Sequence, residues 1–421
     1  MQLNVSYDLR PKRASVNTSI VMDGFGIGFE TGQHTIAEDF ELPIRPDDVV
    51  LFTGASGSGK SSLMRNTGEQ LRDQSGTKVV NVDDLELPDR VLVDALGVPV
   101  HESLALLSAC GLAEARLLLR TPNELSDGQR YRFRLALALA QHPDWVIADE
   151  FTATLDRTLA KIVAFNIRRL AHRTGIGFLL ATTHDDVASD LDPSLHVVCR
   201  LDGRMECTRN DEPISPRKIS FFDDLKITVG SKTDWPAFAD WHYRSHHLGL
   251  VKRVSVLWHG EEKIGICVFA SPPISLSQRN RFFGLNGGWS RTSLRALNSQ
   301  LVTLSRVVLH PSYRGAGLAA WFIRESCRAC PWPWIETLAQ MGHLNPFFEK
   351  AGFVRVGVTQ SKNQSRRGHS AIYGGNRNGQ TKISHETHEK SRHSQPVYYV
   401  FDNRSEAARD QGQEVRAGKE D

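Results

Sequence analysis

The stretch VVLFTGASGSGKSSLMRN, Val49 to Asn66, decides the fold of the first part of the chain. Its apolar run predicts a buried strand, a glycine-rich turn follows, and Lys60 opens a helical pattern. Gly54, Gly57 and Gly59 let backbone amides converge on one point without a Cβ in the way, and the N-terminus of the helix adds a favourable dipole. The stretch therefore predicts a phosphate-binding loop between a strand and a helix.

The polar residues of this loop fit a nucleoside triphosphate carried with Mg²⁺. Lys60 is placed to reach the β and γ phosphates, and Ser61 is placed to bind the metal ion. The sequence thus predicts a P-loop. We predict that it binds ATP through consecutive residues, namely Gly54, Ala55, Ser56, Gly57, Ser58, Gly59, Lys60, Ser61 and Ser62.

Four further motifs follow the loop in order. LSDGQRYRFRLALALA, residues 125–140, has apolar residues at helical spacing. WVIADE is an apolar strand that ends in Asp149, placed for Mg²⁺, and Glu150, placed to polarise water. ATLD ends at Asp156, and ATTHDD brings His184 after another apolar run.

This order resembles that of the ATP-binding cassette (ABC) ATPases, with Walker A, signature, Walker B, D-loop and switch histidine over residues 54–184. The resemblance implies that Glu150 and His184 are catalytic and that Ser61 and Asp149 bind Mg²⁺. It further implies a head-to-tail homodimer, because in this family the signature of one subunit completes the nucleotide site of the other. The remaining ATP-binding residues implied are Leu125, Ser126, Asp127, Gly128, Gln129 and Asp156.

The chain departs from the family pattern in three places. Asp127 occupies a signature position that is usually glycine. No glutamine stands at the position of the family's Q-loop, since Gln70 and Gln74 are expected at the end of the P-loop helix. The aromatic residue that stacks on adenine could be Phe25 or Phe29, and either could equally belong to the core.

A second pattern of strands and helices runs from Ile219 to about Phe401. A strand, a helix and a hairpin around His-Gly-Glu-Glu are followed by TLSRVVLHPSYRGAGLAAWFIRESCRA, which predicts a strand, a basic glycine turn and a helix. PWIETLA, NPFFEKAGF, FVRVGVT and PVYYVF then predict a strand, a short helix and two strands.

That order resembles the Gcn5-related N-acetyltransferases (GNAT). Arg314, Gly317 and Ala319 match the family's R/Q-x-x-G-x-G/A motif, and NPFFEKAGF is similar to its Y-E-K-x-G-F stretch. The resemblance implies that the pyrophosphate of acetyl-CoA lies on this turn, with its pantetheine arm along the preceding strand. The acetyl-CoA-binding residues implied are Val307, Val308, Leu309, Arg314, Gly315, Ala316, Gly317, Leu318, Ala319 and Asn345.

Acyl transfer needs a base for the acceptor amine and often an acid for the leaving thiolate. Phe348 stands where the family has its tyrosine acid and cannot donate a proton. Glu336 and His310 are candidate bases, and Tyr313 is a candidate replacement acid. For each of them a structural role is an equal alternative.

These patterns predict an α/β chain, with an N-terminal P-loop NTPase domain of the ABC type and a C-terminal α+β GNAT acyltransferase domain. The boundaries expected are 1–203 for the first domain, 204–218 for a linker and 219–402 for the second domain, with a polar tail at 403–421. Residues 361–394 are polar and poor in apolar side chains, a composition typical of a disordered insert.

Composition limits the partners and the compartment. Net charge is +3, but residues 231–360 carry 15 Lys and Arg against 7 Asp and Glu, which favours a polyanion such as nucleic acid or a phosphorylated cofactor. In SQRNRFFGLNGGWSR, residues 277–291, arginines and aromatic residues alternate in a predicted loop that could stack unpaired bases or cap the core. The sequence predicts no membrane span and no secretion signal, and six scattered cysteines favour a cytoplasmic protein.

The leading hypothesis from the sequence is an ABC-type ATPase coupled to acetyl-CoA-dependent acyl transfer onto nucleic acid or another macromolecule. Its cofactors are then ATP, Mg²⁺ and acetyl-CoA. One alternative is a protein or small-amine N-acetyltransferase regulated by ATP. Another is a nucleic-acid-binding ATPase whose second domain only senses CoA.

Overall fold

A computed structural model describes residues 1–9, 12–211, 218–242, 248–274, 276–286, 288–343, 345–359 and 395–404. The chain divides into two compact units, Met1–Ser220 and Phe221–Asp421, called unit 1 and unit 2 below. The predicted disordered insert and all but the first two residues of the predicted tail lie outside the described residues.

Unit 1 contains a six-stranded sheet of order β4-β5-β6-β3-β7-β8 and a separate two-stranded antiparallel sheet of β1 and β2. All neighbours in the larger sheet are parallel except β8, which pairs antiparallel with β7. The elements of unit 1 are β1 (Gln2–Leu9), α1 (Val16–Phe25), β2 (Gly32–Glu41), β3 (Val49–Thr53), α2 (Lys60–Arg72), β4 (Val79–Asn81), α3 (Leu92–Ala95), α4 (Val100–Ala109), α5 (Asp127–Ala140), β5 (Trp145–Ala148), α6 (Arg157–Thr174), β6 (Gly177–Thr182), α7 (Ala188–Leu191), β7 (Leu195–Cys199) and β8 (Met205–Arg209).

The central strands of this sheet bring the predicted motifs to one edge. Every residue of β3, β5 and β6 is buried, as apolar runs covered by helices on both faces require. Because β3, β5 and β6 are parallel neighbours, their carboxyl ends meet at the same edge. The phosphate loop, the Asp149-Glu150 pair and His184 follow these three ends, so topology alone assembles them.

The predicted linker at 204–218 is wrong in its first part, because Met205–Arg209 forms strand β8 at the edge of the sheet. The alternation in MECTR is short and flanked by charged residues, which hid the strand. Arg209 pairs with the buried carboxylate of Asp48 at 2.8 Å and fixes this edge.

Unit 2 contains one seven-stranded sheet of order β14-β15-β13-β12-β11-β10-β9. All neighbours are antiparallel except β12 and β13. The elements are β9 (Leu225–Gly230), α8 (Pro236–Ala239), β10 (Val251–His259), β11 (Glu262–Ala270), α9 (Ser277–Phe283), α10 (Arg291–Gln300), β12 (Leu301–Leu309), α11 (Leu318–Arg328), β13 (Trp334–Ala339), α12 (Phe347–Lys350), β14 (Val354–Val358) and β15 (Val397–Asp402).

The parallel pair β12 and β13 is joined only at its amino end. The register runs from Leu301↔Trp334 to Thr303↔Glu336 and goes no further, although β12 continues to Leu309. On its other side β12 remains paired with β11 up to Leu309. The carboxyl half of β12 therefore keeps one strand partner and leaves its other edge open within the described residues.

Two expectations for unit 2 need correction. Where a helix was expected between the first strand and the hairpin, the described residues form a 3₁₀ turn and the short α8, and residues 243–247 lie outside the described part. Within the predicted loop at 277–291, Ser277–Phe283 instead forms α9, whose Phe282 and Phe283 pack edge-on against Trp334 of β13 and hold the helix on the sheet. None of the helices in the described ranges has the length and hydropathy that a bilayer span needs.

Candidate nucleotide site and candidate acyl-CoA cradle

The phosphate loop requires glycine at both of its tightest points. Gly54 has φ 140°, and a Cβ there would lie 2.0 Å from the carbonyl oxygen of Cys199. Gly59 has φ 90°, and its Cβ would lie 2.5 Å from the side chain of Ile36 on β2. Side chains are thus excluded from the cradle by backbone conformation and by close packing together.

The loop leaves donors free for an anion. Helix α2 begins at Lys60 with Gly59 as its N-cap, and no side chain caps its first amides. The Oγ atom of Ser58 is buried and has no hydrogen-bond partner among the described residues. Lys60 is only 4% exposed, and its Nζ donates to the Ala55 carbonyl at 2.9 Å. Uncapped amides, a buried hydroxyl and a buried ammonium group fit a phosphate.

The residues predicted for Mg²⁺ lie together. The hydroxyl of Ser61 donates to Oδ1 of Asp149 at 3.1 Å, and the Arg65 guanidinium lies 3.7 Å from Oδ2 of the same carboxylate. Mg²⁺ is commonly held by one or two protein oxygens together with phosphate oxygens and water. Hydroxyl and carboxylate therefore form a donor set that fits the ion.

Glu150 lies beside both the lysine and the aspartate. Its Oε1 is 3.9 Å from Nζ of Lys60, and its backbone N–H donates to the Asp149 carboxylate at 3.1 Å. Its φ of 43° lies in the left-handed region, which a non-glycine residue occupies at a cost of about 1–3 kcal/mol. This strained backbone holds the carboxylate, which remains 40% exposed, at the mouth of the site.

Asp83 is a site residue that the sequence reasoning missed. The last register pair of β4 and β5 is Asn81↔Ile147, so Asp83 and Asp149 follow neighbouring strand ends at the same distance. The backbone of Asp149 hydrogen-bonds the Asp83 carboxylate. Crowding around the carboxyl group removes part of its solvent and raises the pKa of Asp83, and the Asp149 charge acts in the same direction. A third carboxylate therefore belongs to this edge of the sheet.

The signature motif forms the start of α5. Ser126 caps the helix, its Oγ accepting from the Gln129 backbone and its own N–H donating to the Gln129 side chain. A Cβ on Gly128 would lie 2.6 Å from the carbonyl oxygen of Thr154, so this glycine is required by packing. Asp127 is exposed and pairs with Arg130, so the aspartate in place of glycine buries no charged group.

One turn further along α5, the Tyr131 hydroxyl donates to the Asp149 carbonyl at 3.2 Å. Burial raises the pKa of this tyrosine, so it remains a proton donor. Leu125, just before the helix, is buried in the core. The signature helix is thus bonded directly to the Walker B strand end.

The D-loop residue Asp156 and the switch residue His184 are each positioned by a local hydrogen bond. Asp156 caps α6 by accepting from the Leu159 N–H at 2.9 Å. His184 is exposed just beyond β6, and its N–H donates to the Thr182 hydroxyl at 3.1 Å. Of the two aromatic candidates for adenine, Phe25 is 78% exposed at the end of α1, and Phe29 lines a shallow apolar pocket with residues of that helix.

The predicted second cradle in unit 2 is a glycine turn that leads into a helix. Gly315 and Gly317 have φ values of 96° and 78°, and α11 begins at Leu318 without a side-chain cap. Arg314 is turned back, its Nε donating to the Leu309 carbonyl at 3.0 Å. The turn follows directly on the open carboxyl half of β12, which contains Val307 and Val308. Asn345 lies exposed just before α12.

The structure argues against Glu336 as a general base. It is fully buried and forms an ion pair with the equally buried Arg279, with contacts of 2.5 and 2.8 Å. Thr303 and Tyr398 donate to the same carboxylate at 2.7 and 2.9 Å. Four hydrogen bonds leave this group no free position from which to accept a substrate proton.

The other candidates for acyl transfer differ in access. Tyr313 is 5% exposed, and its hydroxyl lies 2.7 Å from Nδ1 of His259. His310 is partly exposed, accepts from the Ser312 N–H at 3.3 Å and packs edge-on against Trp241. Phe348 is buried against Tyr399, whose hydroxyl donates to Glu349 at 2.8 Å. Of Glu336, Tyr313 and His310, only His310 is partly exposed.

A strand–loop–helix with a buried lysine, beside an aspartate–glutamate pair on a neighbouring strand end, defines the class of P-loop nucleoside triphosphatases. No family model matches the chain. The chain is 31% identical over 188 residues to the lipoprotein-releasing system ATP-binding protein LolD 1 of Caulobacter vibrioides. The aligned region covers 37% of this chain and 80% of that protein. The chain is also 28% identical over 215 residues to the methionine import ATP-binding protein MetN of Sodalis glossinidius, and this alignment covers 44% of the chain and 62% of MetN.

The chain belongs to the ATP-binding cassette family. Among solved structures, a dimeric post-hydrolysis ATP-binding cassette with bound ADP and Pi covers 50% of this chain and 98% of its own, with 21% identity and a TM-score of 0.38. ATP with Mg²⁺ is consistent with the Caulobacter and Sodalis relatives, both of which are ATP-binding proteins.

Proposed function

We propose that this protein is a homodimeric ABC ATPase whose second unit binds acetyl-CoA and transfers the acyl group to a macromolecule, namely nucleic acid. In unit 1, Lys60 would neutralise charge on the β and γ phosphates, while Ser61 and Asp149 would hold Mg²⁺. Glu150 would polarise the attacking water, and His184 would contact the γ phosphate. The exposed signature turn at Ser126 supports a head-to-tail dimer, because it is free to complete the site of a second copy.

The observation that carries the acyl-CoA proposal is the open edge of β12 followed by an uncapped glycine turn. An acyl-CoA presents amide groups along its pantetheine arm and a pyrophosphate at one end. The open strand edge offers backbone partners for the amides. The amides of α11 after Gly317 offer a site for the pyrophosphate. The GNAT-like sheet order supports the same proposal.

For the transfer step we propose His310 as the base. It would take a proton from the acceptor amine as the amine nitrogen bonds to the acyl carbon, and the carbon–sulfur bond would break to release CoA. Tyr313 would act through its hydrogen bond to His259, as a positioning residue or as a proton donor for the thiolate. The basic charge of residues 231–360 supports a nucleic-acid acceptor.

The test is acyl transfer from labelled acetyl-CoA onto purified RNA, DNA and protein pools, with ATP, without ATP and with Glu150→Gln. We expect label in nucleic acid that depends on ATP. Equal labelling with and without ATP would contradict the coupling of the two units. Label confined to protein would instead support a protein acetyltransferase.

A second candidate function is an ATPase whose unit 2 binds CoA without transferring its acyl group. The partnered state of Glu336 and the phenylalanine at position 348 favour it, since two candidate catalytic groups are then lost. Stoichiometric acetyl-CoA binding with no labelled product in any pool would support this reading over acyl transfer.

A further inference from the structure

In unit 2, the connection between β11 and β12 carries an aromatic pocket outside the acyl-CoA cradle. It has a volume of about 400 Å³, which falls within the range of small-molecule sites. Its lining is mostly apolar, with three aromatic rings among the wall residues. The walls are formed by Phe283, Leu285, Trp289, Ala296, Leu297 and Trp334.

This pocket is separate from the acyl-CoA cradle. It lies at the amino end of β12, where Leu301 and Gln300 belong to the lining. The cradle follows the carboxyl end of the same strand at Leu309. Eight residue steps at about 3.3 Å each place the two strand ends about 26 Å apart. A molecule in the pocket would thus be held at a distance from the acyl group.

The pocket contains one donor that the fold leaves unused. The indole Nε1 of Trp289 is buried and has no hydrogen-bond partner among the described residues. A buried donor without an acceptor is unfavourable, and such groups are found where a ligand supplies the acceptor. A planar ring with a carbonyl or ring-nitrogen acceptor would satisfy it.

The rings of the pocket are held by edge-on and cation–π contacts. Phe283 meets Trp334 edge-on, with centroids 5.1 Å apart and planes at 80°. The guanidinium of Arg404 lies 4.5 Å from the Trp334 centroid. Edge-to-face packing fixes the rings without covering all of their faces, and a bound aromatic ring can use those that remain.

The two helices that line the pocket, α9 and α10, carry arginines but no acidic residues. Residues 277–300 contain four arginines and no aspartate or glutamate. Arg281, Arg291 and Arg295 are exposed, whereas Arg279 is buried in its ion pair. On α10, Arg291 and Arg295 lie on the face opposite the pocket-lining Ser293, Ala296 and Leu297, so the positive charge lies beside the pocket and complements the phosphates that flank a ring bound in it.

We propose that this pocket binds one unstacked base of a single-stranded nucleic acid, whose strand continues across the outer face of α10 past Arg291 and Arg295. Trp289 donates its indole N–H to the base. The pocket acts as an anchor, holding the strand so that a distant nucleotide can reach the cradle. The inference rests on the proposed nucleic-acid acceptor and assigns it a site.

The experiment measures binding of a fluorescein-labelled (dT)₁₂ to the full-length protein, in EDTA and without ATP, across a series of salt concentrations. We expect Trp289→Ala to weaken binding about ten-fold, because the variant loses both the aromatic wall and the indole donor, and Trp289→Phe to weaken it less. We expect the Arg291→Gln/Arg295→Gln variant to lower the slope of log Kd against log salt by about 1.4. The matched control is Arg355→Gln, which removes an exposed arginine of β14.

Binding of (dT)₁₂ that stays within two-fold of the parent in all three pocket variants would overturn the pocket while leaving a nucleic-acid acceptor in place. A parent protein that does not bind (dT)₁₂ would overturn both. Equal competition by poly-glutamate would reduce the feature to a basic surface and would contradict a base site. Quenching of tryptophan fluorescence on binding, smaller in Trp289→Phe because Trp334 remains in the wall, would support it.

Discussion

Replacing Glu336 with glutamine should destabilise unit 2 strongly, because the residue completes a buried ion pair. Arg279 and Glu336 are both 0% exposed, and the variant leaves the guanidinium without its counter-charge. Breaking one side of a buried pair costs about 3–5 kcal/mol. Since every 1.4 kcal/mol is a factor of ten, amide exchange through unfolding of unit 2 should accelerate about a hundred- to several-thousand-fold.

The assay is hydrogen–deuterium exchange with mass spectrometry, comparing peptides of β13 and β15 with peptides of β3 in unit 1 as an internal reference. Glu262→Gln, an exposed carboxylate on β11, is the matched control and should change nothing. The double variant Arg279→Met/Glu336→Leu should be less destabilised than either single change, because it removes both charges together. A Glu336→Gln protein with parental exchange but no acyl transfer would refute this reasoning and restore the residue as a base.

Three further outcomes follow from the site geometry. Asp83→Asn should weaken Mn²⁺ binding to the ATP-analogue complex about ten-fold in electron paramagnetic resonance titrations. The control variant Asp84→Asn should bind Mn²⁺ like the parent. Parental Mn²⁺ affinity in Asp83→Asn would contradict a role for Asp83 near the metal. Burial lowers the pKa of His196, so the unfolded chain binds more protons than the folded protein at mildly acidic pH. The free energy of unfolding should therefore fall as the pH drops below about 6.5. Urea titrations at pH 7.5 and 5.5 should show a smaller fall in this free energy for His196→Gln than for the parent. Burial raises the pKa of Cys110 to about 12, so iodoacetamide at pH 8 should modify the partly exposed Cys207 first, and early mass-spectrometric labelling of Cys110 would contradict the fold.

The nucleotide site was predictable from sequence because each motif sits at the end of an apolar strand. Parallel strands of a covered sheet carry a strong pattern, and their carboxyl ends must meet. Asp83 escaped because β4 is only three residues long, and nothing in Val-Val-Asn marks a strand beside the Walker B strand. Its position became clear only from the register Asn81↔Ile147.

In unit 2 the order of strands was predictable, while the roles of polar residues were not. Glu336 follows a strand pattern that is compatible with either a base or a buried ion pair. The partner that decides between them is Arg279, which lies 57 residues away in sequence on a helix predicted as a loop. The sequence did not predict strand β8 for a similar reason. Its alternating pattern is hidden among charged residues, and its pairing with β7 is visible only in the folded structure.

The measurement that tests the account most directly is calorimetric titration of acetyl-CoA into the parent protein and into Gly317→Leu. Gly317 has φ 78° at the N-cap of α11, so a side chain there strains the turn and enters the proposed pyrophosphate site. The account predicts one acetyl-CoA per chain for the parent, loss of at least ten-fold in affinity for the variant, and unchanged ATP hydrolysis in both. A parent protein that hydrolyses ATP but takes up no acetyl-CoA would contradict the proposed function of unit 2.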